Sequence, residues 1–194
     1  MTIIIDRMHV EGIEWAVKAS GNPTRNEFRD GLEKLELEDY SRAISLGQAK
    51  QSSGHDCFLK GITVAIDLYC PRWMQLHLLR YRFLDIVSAM SLQHNLKELL
   101  YSKRAVIDLD PEHVQWLRMQ FESGKPHEYM RKHMPEGLLT GISFRTNYLQ
   151  LKTIVFQRRT HQLEEWREFC QEVMALPMFC EYTGAHYADD GRKD

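Results

Sequence analysis

Three groups of cationic residues sit beside apolar runs in this sequence: Arg80 with Arg82, Arg131 with Lys132, and Arg158 with Arg159. A guanidinium is planar, permanently charged and forked, so it matches the paired oxygens of a phosphate. Any one of these pairs alone is equally what a solvated helix end or a surface ion pair looks like. On a regular helix, positions i and i+2 diverge by about 200°, so Arg80 and Arg82 share a ligand only if the helix ends there. His55 follows Gly54 at a loop-to-strand junction, where an imidazole can meet a ligand's phosphate or ring, or simply cap the turn. Glu128 and Arg131 are spaced i, i+3 and can pair on a helix. Asn147 stands where a helix begins and reads first as an N-cap.

The common chemical signatures are missing. Gly-x-Gly-x-x-Gly and the P-loop pattern do not occur, nor do Gly-x-Ser-x-Gly or His-Glu-x-x-His. Cys57, Cys70, Cys170 and Cys180 form no Cys-x-x-Cys pair and lack the closely spaced Cys/His partners of a zinc site, so they read as reduced, buried thiols. No residue is marked as a catalytic nucleophile or base.

The elements that must position these residues can be read from periodicity. Thr2–Ile5 is a short β-branched run and predicts a strand. Residues 11–19 predict a helix stopped by Gly21-Asn22-Pro23. Residues 24–53 are polar and predict helix and loop. From 61 to 69 the chain alternates, with Ile62, Val64, Ile66 and Leu68 on one face, which predicts a half-buried strand. Pro71 suits the first turn of a helix over 71–82, followed by an apolar stretch over 83–90. Asp110-Pro111-Glu112 is a strong helix start and Gly124 its stop. Residues 125–133 predict a short helix, 138–144 a strand and 147–158 a helix. The span 163–176 predicts an amphipathic helix burying Trp166, Phe169, Val173 and Leu176. Strands interspersed with helices imply an α/β or α+β fold.

The chain has 194 residues, 43% hydrophobic and 27% charged, an ordinary globular composition. Lys and Arg number 25 against 27 Asp and Glu, so the net charge of −2 offers no bulk attraction to polymeric nucleic acid. No apolar run reaches the length of about 18 residues that a membrane span needs. The start of the sequence lacks a basic segment and long apolar core, so a cytoplasmic protein is expected. No strong linker interrupts the chain. Residues 1–180 are expected to form one domain, and 181–194 a polar, mobile tail.

Taken together, three blocks resemble the flavin-dependent thymidylate synthases, the ThyX family. Gly54-His55-Asp56-Cys57-Phe58-Leu59 is similar to that family's Gly-His-x-Ser segment ahead of a strand. The family's Arg-His-Arg triplet, about 26 positions later, falls on Arg80-Tyr81-Arg82. Residues 124–135 are similar to its Gly-x-x-x-Glu-x-Ala-Arg-x-x-Leu-Pro, and Asn147, Leu151 and Arg158 to its Asn-x-Arg-x-Leu region. The blocks occur in the family's order over roughly residues 50–170. The resemblance implies a central, mainly antiparallel sheet flanked by helices, and a homotetramer with sites at subunit interfaces. It implies FAD as cofactor, dUMP as substrate, methylenetetrahydrofolate as carbon donor and NADPH as reductant. By the same resemblance His55, Arg80, Tyr81, Arg82 and Asn147 would contact FAD, and His77, Ser88, Ser91, Arg131 and Arg158 the nucleotide. The hard chemistry would then belong to the cofactor, which fits the lack of an enzyme nucleophile.

The chain departs from the family pattern after Arg82. The family's acidic residue falls on Ser88, its serine on Met90 and its arginine on Leu92, while a one-residue shift would put a serine at Ser91. Its glutamine before the triplet falls on His77, the central histidine on Tyr81, and the arginine after the asparagine on Leu149. Two functions therefore stand side by side. One is FAD-mediated one-carbon transfer to a pyrimidine deoxynucleotide. The other is a catalytically inactive relative that binds a nucleotide or nucleotide-like ligand at subunit interfaces. Behind both stands the reading of a purely structural protein that kept only the fold.

Overall fold

A computed structural model describes residues 2–28, 34–50 and 53–186. In chain order the elements are β1 (Ile4–Glu11), α1 (Ile13–Ala19), α2 (Leu37–Gly47), a 3₁₀ segment (His55–Gly61), β2 (Thr63–Pro71), α3 (Arg72–Leu78), β3 (Asp85–Ala89), α4 (Leu96–Tyr101), α5 (Pro111–Glu122), α6 (His127–His133), β4 (Leu139–Asn147), α7 (Tyr148–Arg158), α8 (Glu164–Met174) and α9 (Phe179–Thr183). The four strands form one antiparallel sheet in the order β1-β2-β4-β3, flanked by helices, as the resemblance implies.

β2 carries out the alternation written in its sequence. Val64, Ile66 and Leu68 are buried, while Thr63, Ala65, Asp67 and Tyr69 are half-exposed. Its antiparallel register against β4 is fixed at both ends, where the Tyr148 amide donates to the Ile62 carbonyl (3.0 Å) and the Arg72 amide to the Leu138 carbonyl (3.3 Å). β1 is longer than its β-branched start and runs on through Asp6 and Arg7 and an alternating Met8-His9-Val10-Glu11. The following helix therefore begins at Ile13 rather than at residue 11. Gly12 makes the corner with φ of 85°, and a side chain there would lie 2.3 Å from the Gly61 carbonyl oxygen, so only glycine fits.

The helix expected over 71–82 is shorter. α3 ends at Leu78, and the Tyr81 amide then bonds the Leu78 carbonyl (3.0 Å) and the Leu84 amide the Tyr81 carbonyl (3.2 Å). These consecutive turns tuck Leu84 inside, and that tertiary burial overrides the helix propensity of Leu79 and Arg80. The apolar stretch that follows becomes β3, an edge strand with all five residues exposed.

α5 begins as its sequence dictates: the Asp110 carboxylate accepts from the Glu112 (2.7 Å) and His113 (3.1 Å) amides, with Pro111 at the first helical position. Gly124, with φ of 76°, ends it. α4, which the sequence reading did not anticipate, contributes Leu96, Leu99 and Leu100 to a cluster with Leu117, Met130 and Leu138. α8 buries Trp166, Phe169 and Val173, whereas Leu176 lies past its end and is half-buried.

Cys70 and Cys170 are buried, and burial pushes each thiol up to about 12. Cys57 is exposed instead, because its 3₁₀ segment turns Asp56 and Leu59 inward, and Cys180 is intermediate. Of the expected tail, residues 181–183 belong to α9, and 187–194 lie outside the described residues. Among the described residues no helix is long and apolar enough to cross a membrane. The chain divides into two compact units, Met1–Arg7 with Ile66–Phe144, and Met8–Ala65 with Arg145–Asp194.

Candidate functional site

The first unit holds Arg80, Tyr81, Arg82, His77, Ser88, Ser91 and Arg131; the second holds His55, Asn147 and Arg158. Because α3 stops at Leu78, Arg80 and Arg82 are not fixed on diverging helical positions but lie in the turn that follows. Both are exposed, and neither has a carboxylate partner among the described residues. Tyr81 between them is half-buried. His77, in the last turn of α3, meets the Trp73 ring edge-on at 5.3 Å.

Arg131 projects from α6 into a groove of about 450 Å³, shared with Arg72, Lys132, His127, Leu92 and Gln93. Lys132 is tied to Glu128 at 2.7 Å, so the i, i+4 pair forms in place of the Glu128–Arg131 pair that the spacing allows. Arg131 has no partner among the described residues. Ser91 sits one residue before the groove wall, its hydroxyl accepting from the Gln93 amide (3.2 Å). The groove thus carries Arg72, Arg131 and Lys132, with the Glu128 carboxylate among them, and is apolar at Leu92.

Ser88 lies elsewhere. It lines a cavity of about 300 Å³ on the half-exposed face of the sheet, with Asp67, Tyr69, Met90, Gly141 and Ser143. There the Ser143 hydroxyl donates to the Asp67 carboxylate (2.6 Å), which also faces Arg7 at 3.8 Å. Gly141 leaves room for the Met90 thioether: a side chain at 141 would sit 2.9 Å from its methyl carbon. Ser88 and Arg131, assigned together from sequence, therefore line different openings.

In the second unit, His55 is exposed at the start of the 3₁₀ segment, after Gly54 at φ of 84°. Its neighbour Asp56 points inward and accepts from the Lys152 ammonium of α7 (2.8 Å), which also donates to the Gly47 carbonyl of α2 (2.7 Å). Both charged side chains are only 4% exposed. Asn147 is the N-cap of α7, its side-chain oxygen accepting from the Gln150 amide (3.1 Å). Arg158 stacks on the buried Trp166 indole with its guanidinium 5.1 Å from the ring centre. Two further groove residues were not singled out from sequence. Arg72 gave a faint signal, as the residue after the strand-ending Pro71; His127 lay within the block 124–135 but at one of its unspecified positions.

The donors of this turn suit a diphosphate group. Two uncommitted guanidinium groups in one turn match a pyrophosphate, and the half-buried Tyr81 offers a ring beside them.

No protein-family model matches the chain, and no curated protein matches it in sequence. Solved structures do match. The flavin-dependent thymidylate synthase ThyX from Helicobacter pylori, complexed with FAD and dUMP, superposes with a TM-score of 0.71 at 18% identity, over 97% of this chain and 99% of that one. A second structure of ThyX from that organism, also with FAD and dUMP, gives 0.71 at 18% identity over 96% and 97%. A UMP/dUMP methylase, PolB from Streptomyces cacaoi bound with 5-Br dUMP, gives 0.64 at 12% identity over 88% and 87%. The fold implied by the sequence resemblance is the fold observed.

Proposed function

We propose that this protein is a divergent flavin-dependent thymidylate synthase-like enzyme, which transfers a one-carbon unit to a pyrimidine deoxynucleotide, dUMP to dTMP. The observation that carries the reading is the superposition of nearly the whole chain on a ThyX structure holding FAD and dUMP. FAD supplies the hydride chemistry when bound, with NADPH as reductant and methylenetetrahydrofolate as carbon donor. Arg80 and Arg82 bind its pyrophosphate, and Tyr81, His55 and Asn147 contact the rest of it. Arg131 binds the nucleotide's phosphate in the groove of α6, with Ser91 at its edge. His77, Ser88 and Arg158 belong to the same proposed nucleotide set. The assembly is a homotetramer in the cytoplasm, with sites completed between subunits.

The alternative is nucleotide binding without turnover. It draws on one observation: β3 places an exposed Ser88 where the family pattern carries its acidic residue, with exposed Ile86 and Val87 just before it.

The test is the visible absorption spectrum of the purified protein after incubation with FAD and gel filtration. A retained flavin spectrum that changes on adding dUMP, with tritium released from 5-labelled dUMP in the presence of NADPH and the folate, supports the enzyme. Arg131→Ala should then raise KM for dUMP about tenfold or more, the loss of one charge-assisted contact. A protein that retains no FAD but is thermally stabilised by dUMP overturns the enzyme reading in favour of the alternative.

A further inference from the structure

We infer that Arg72 is the second anion-binding residue of the α6 groove, and that the groove selects a phosphomonoester dianion. The inference rests on the reading of that groove as the nucleotide's phosphate site. Of the three fixed cations lining it, Lys132 is already neutralised by Glu128 at 2.7 Å. That leaves Arg72 and Arg131. The one carboxylate beside Arg72 is Glu136, at 4.0 Å, too far for a hydrogen bond. Arg131 has no carboxylate partner among the described residues. Two guanidinium groups without a carboxylate hydrogen bond thus share one groove, and their combined charge equals that of a phosphomonoester near neutral pH. A phosphodiester carries half that charge.

The backbone makes Arg72 a fixed member of the groove. Its amide is bonded to the Leu138 carbonyl (3.3 Å), and the next amide, of Trp73, to the Glu136 carbonyl (3.3 Å). The side chain therefore leaves from a point anchored to the turn between α6 and β4, and is 31% exposed. Arg131 reaches the groove from α6, so the two forks belong to separate elements and can engage different oxygens of one phosphate. Leu92 adds no charge to the wall it forms, so the selection falls to these two arginines.

Calorimetric titration of the full-length protein with dUMP, 2′-deoxyuridine and the dinucleoside phosphate of deoxyuridine tests this. The wild type should bind dUMP at least tenfold more tightly than either comparison ligand. Arg72→Ala should weaken dUMP about tenfold to hundredfold, close to the effect of Arg131→Ala, and leave deoxyuridine unchanged. Glu136→Gln, which keeps the site intact and removes the one nearby carboxylate, should bind dUMP as tightly as the wild type or more so. If Arg72→Ala fails to fold, Arg72→Gln replaces it with the same expectation. Weakening by Arg131→Ala with no effect of the Arg72 variants overturns this inference and spares the phosphate site. Binding of dUMP unaffected by either arginine, or no binding by the wild type, overturns both.

Discussion

Asn147 enters any ligand site with half of its amide already engaged. Its oxygen caps α7, and its two N–H bonds remain for a ligand. Aspartate caps a helix as well as asparagine but cannot donate. Asn147→Ala should therefore cost about 0.5–2 kcal/mol of stability, and Asn147→Asp much less. If Asn147 contacts FAD as proposed, both variants should lose flavin on gel filtration. Unfolding midpoints and flavin retention separate the two roles, and an Asn147→Asp protein that keeps its flavin reduces the residue to a cap. The cap was legible in the sequence because capping is local, needing only the residue and the helix after it. Arg72 was nearly invisible for the opposite reason. Its place in the groove depends on a bond to Leu138, far along the chain, which no local pattern encodes.

The element that presents His55 is held from below. Lys152 of α7 ties its 3₁₀ segment down through Asp56 while also bonding the end of α2. Removing one partner of so buried a pair strands the other charge, at a cost of about 3–5 kcal/mol. Lys152→Met should show that loss in urea unfolding, and a loss below about 1 kcal/mol would mean that water reaches the Asp56 carboxylate. Elements whose pattern and burial agree were legible: β2 by alternation, α5 by its cap and glycine stop, α8 by its buried stripe. α3 was overextended because Leu79 and Arg80 are good helix formers, and only the need to bury Leu84 bends the chain there. The second half of β1 alternates, with Met8 and Val10 half-buried against exposed His9 and Glu11, but the run is only four residues long and follows the exposed pair Asp6-Arg7, too short a signal to extend the strand from sequence.

At the scale of the molecule, buried acids give stability a defined alkaline limit. Burial holds the Cys70 and Cys170 thiols and the Tyr182 phenol protonated up to about 12, against 9.0 and 10.0 for the same groups in water. Above pH 9 the unfolded chain releases protons that the folded chain keeps, so stability is full below that pH and declines toward pH 12. Melting temperatures taken from pH 8 to 11 should fall from about pH 9, and the double variant Cys70→Ala, Cys170→Ala should fall less steeply. A flat profile would mean the thiols ionise freely in the fold. The fold itself was legible at this scale through the order and spacing of three motif blocks. The division of the ligand set between two units was not, because sequence order alternates between them.

The exposed edge at β3 carries a consequence for the life of the chain. Its five residues contain no proline and no lysine, and Ile86 and Val87 stand open to water. Natural sheets blunt such edges, since a bare row of amides and carbonyls is a template for any extended peptide that meets it. A freshly made chain is thus in a race at high concentration. Whatever covers that edge first, an orderly neighbour or a stray strand from a misfolding copy, decides whether the molecule persists in solution or is drawn into aggregate.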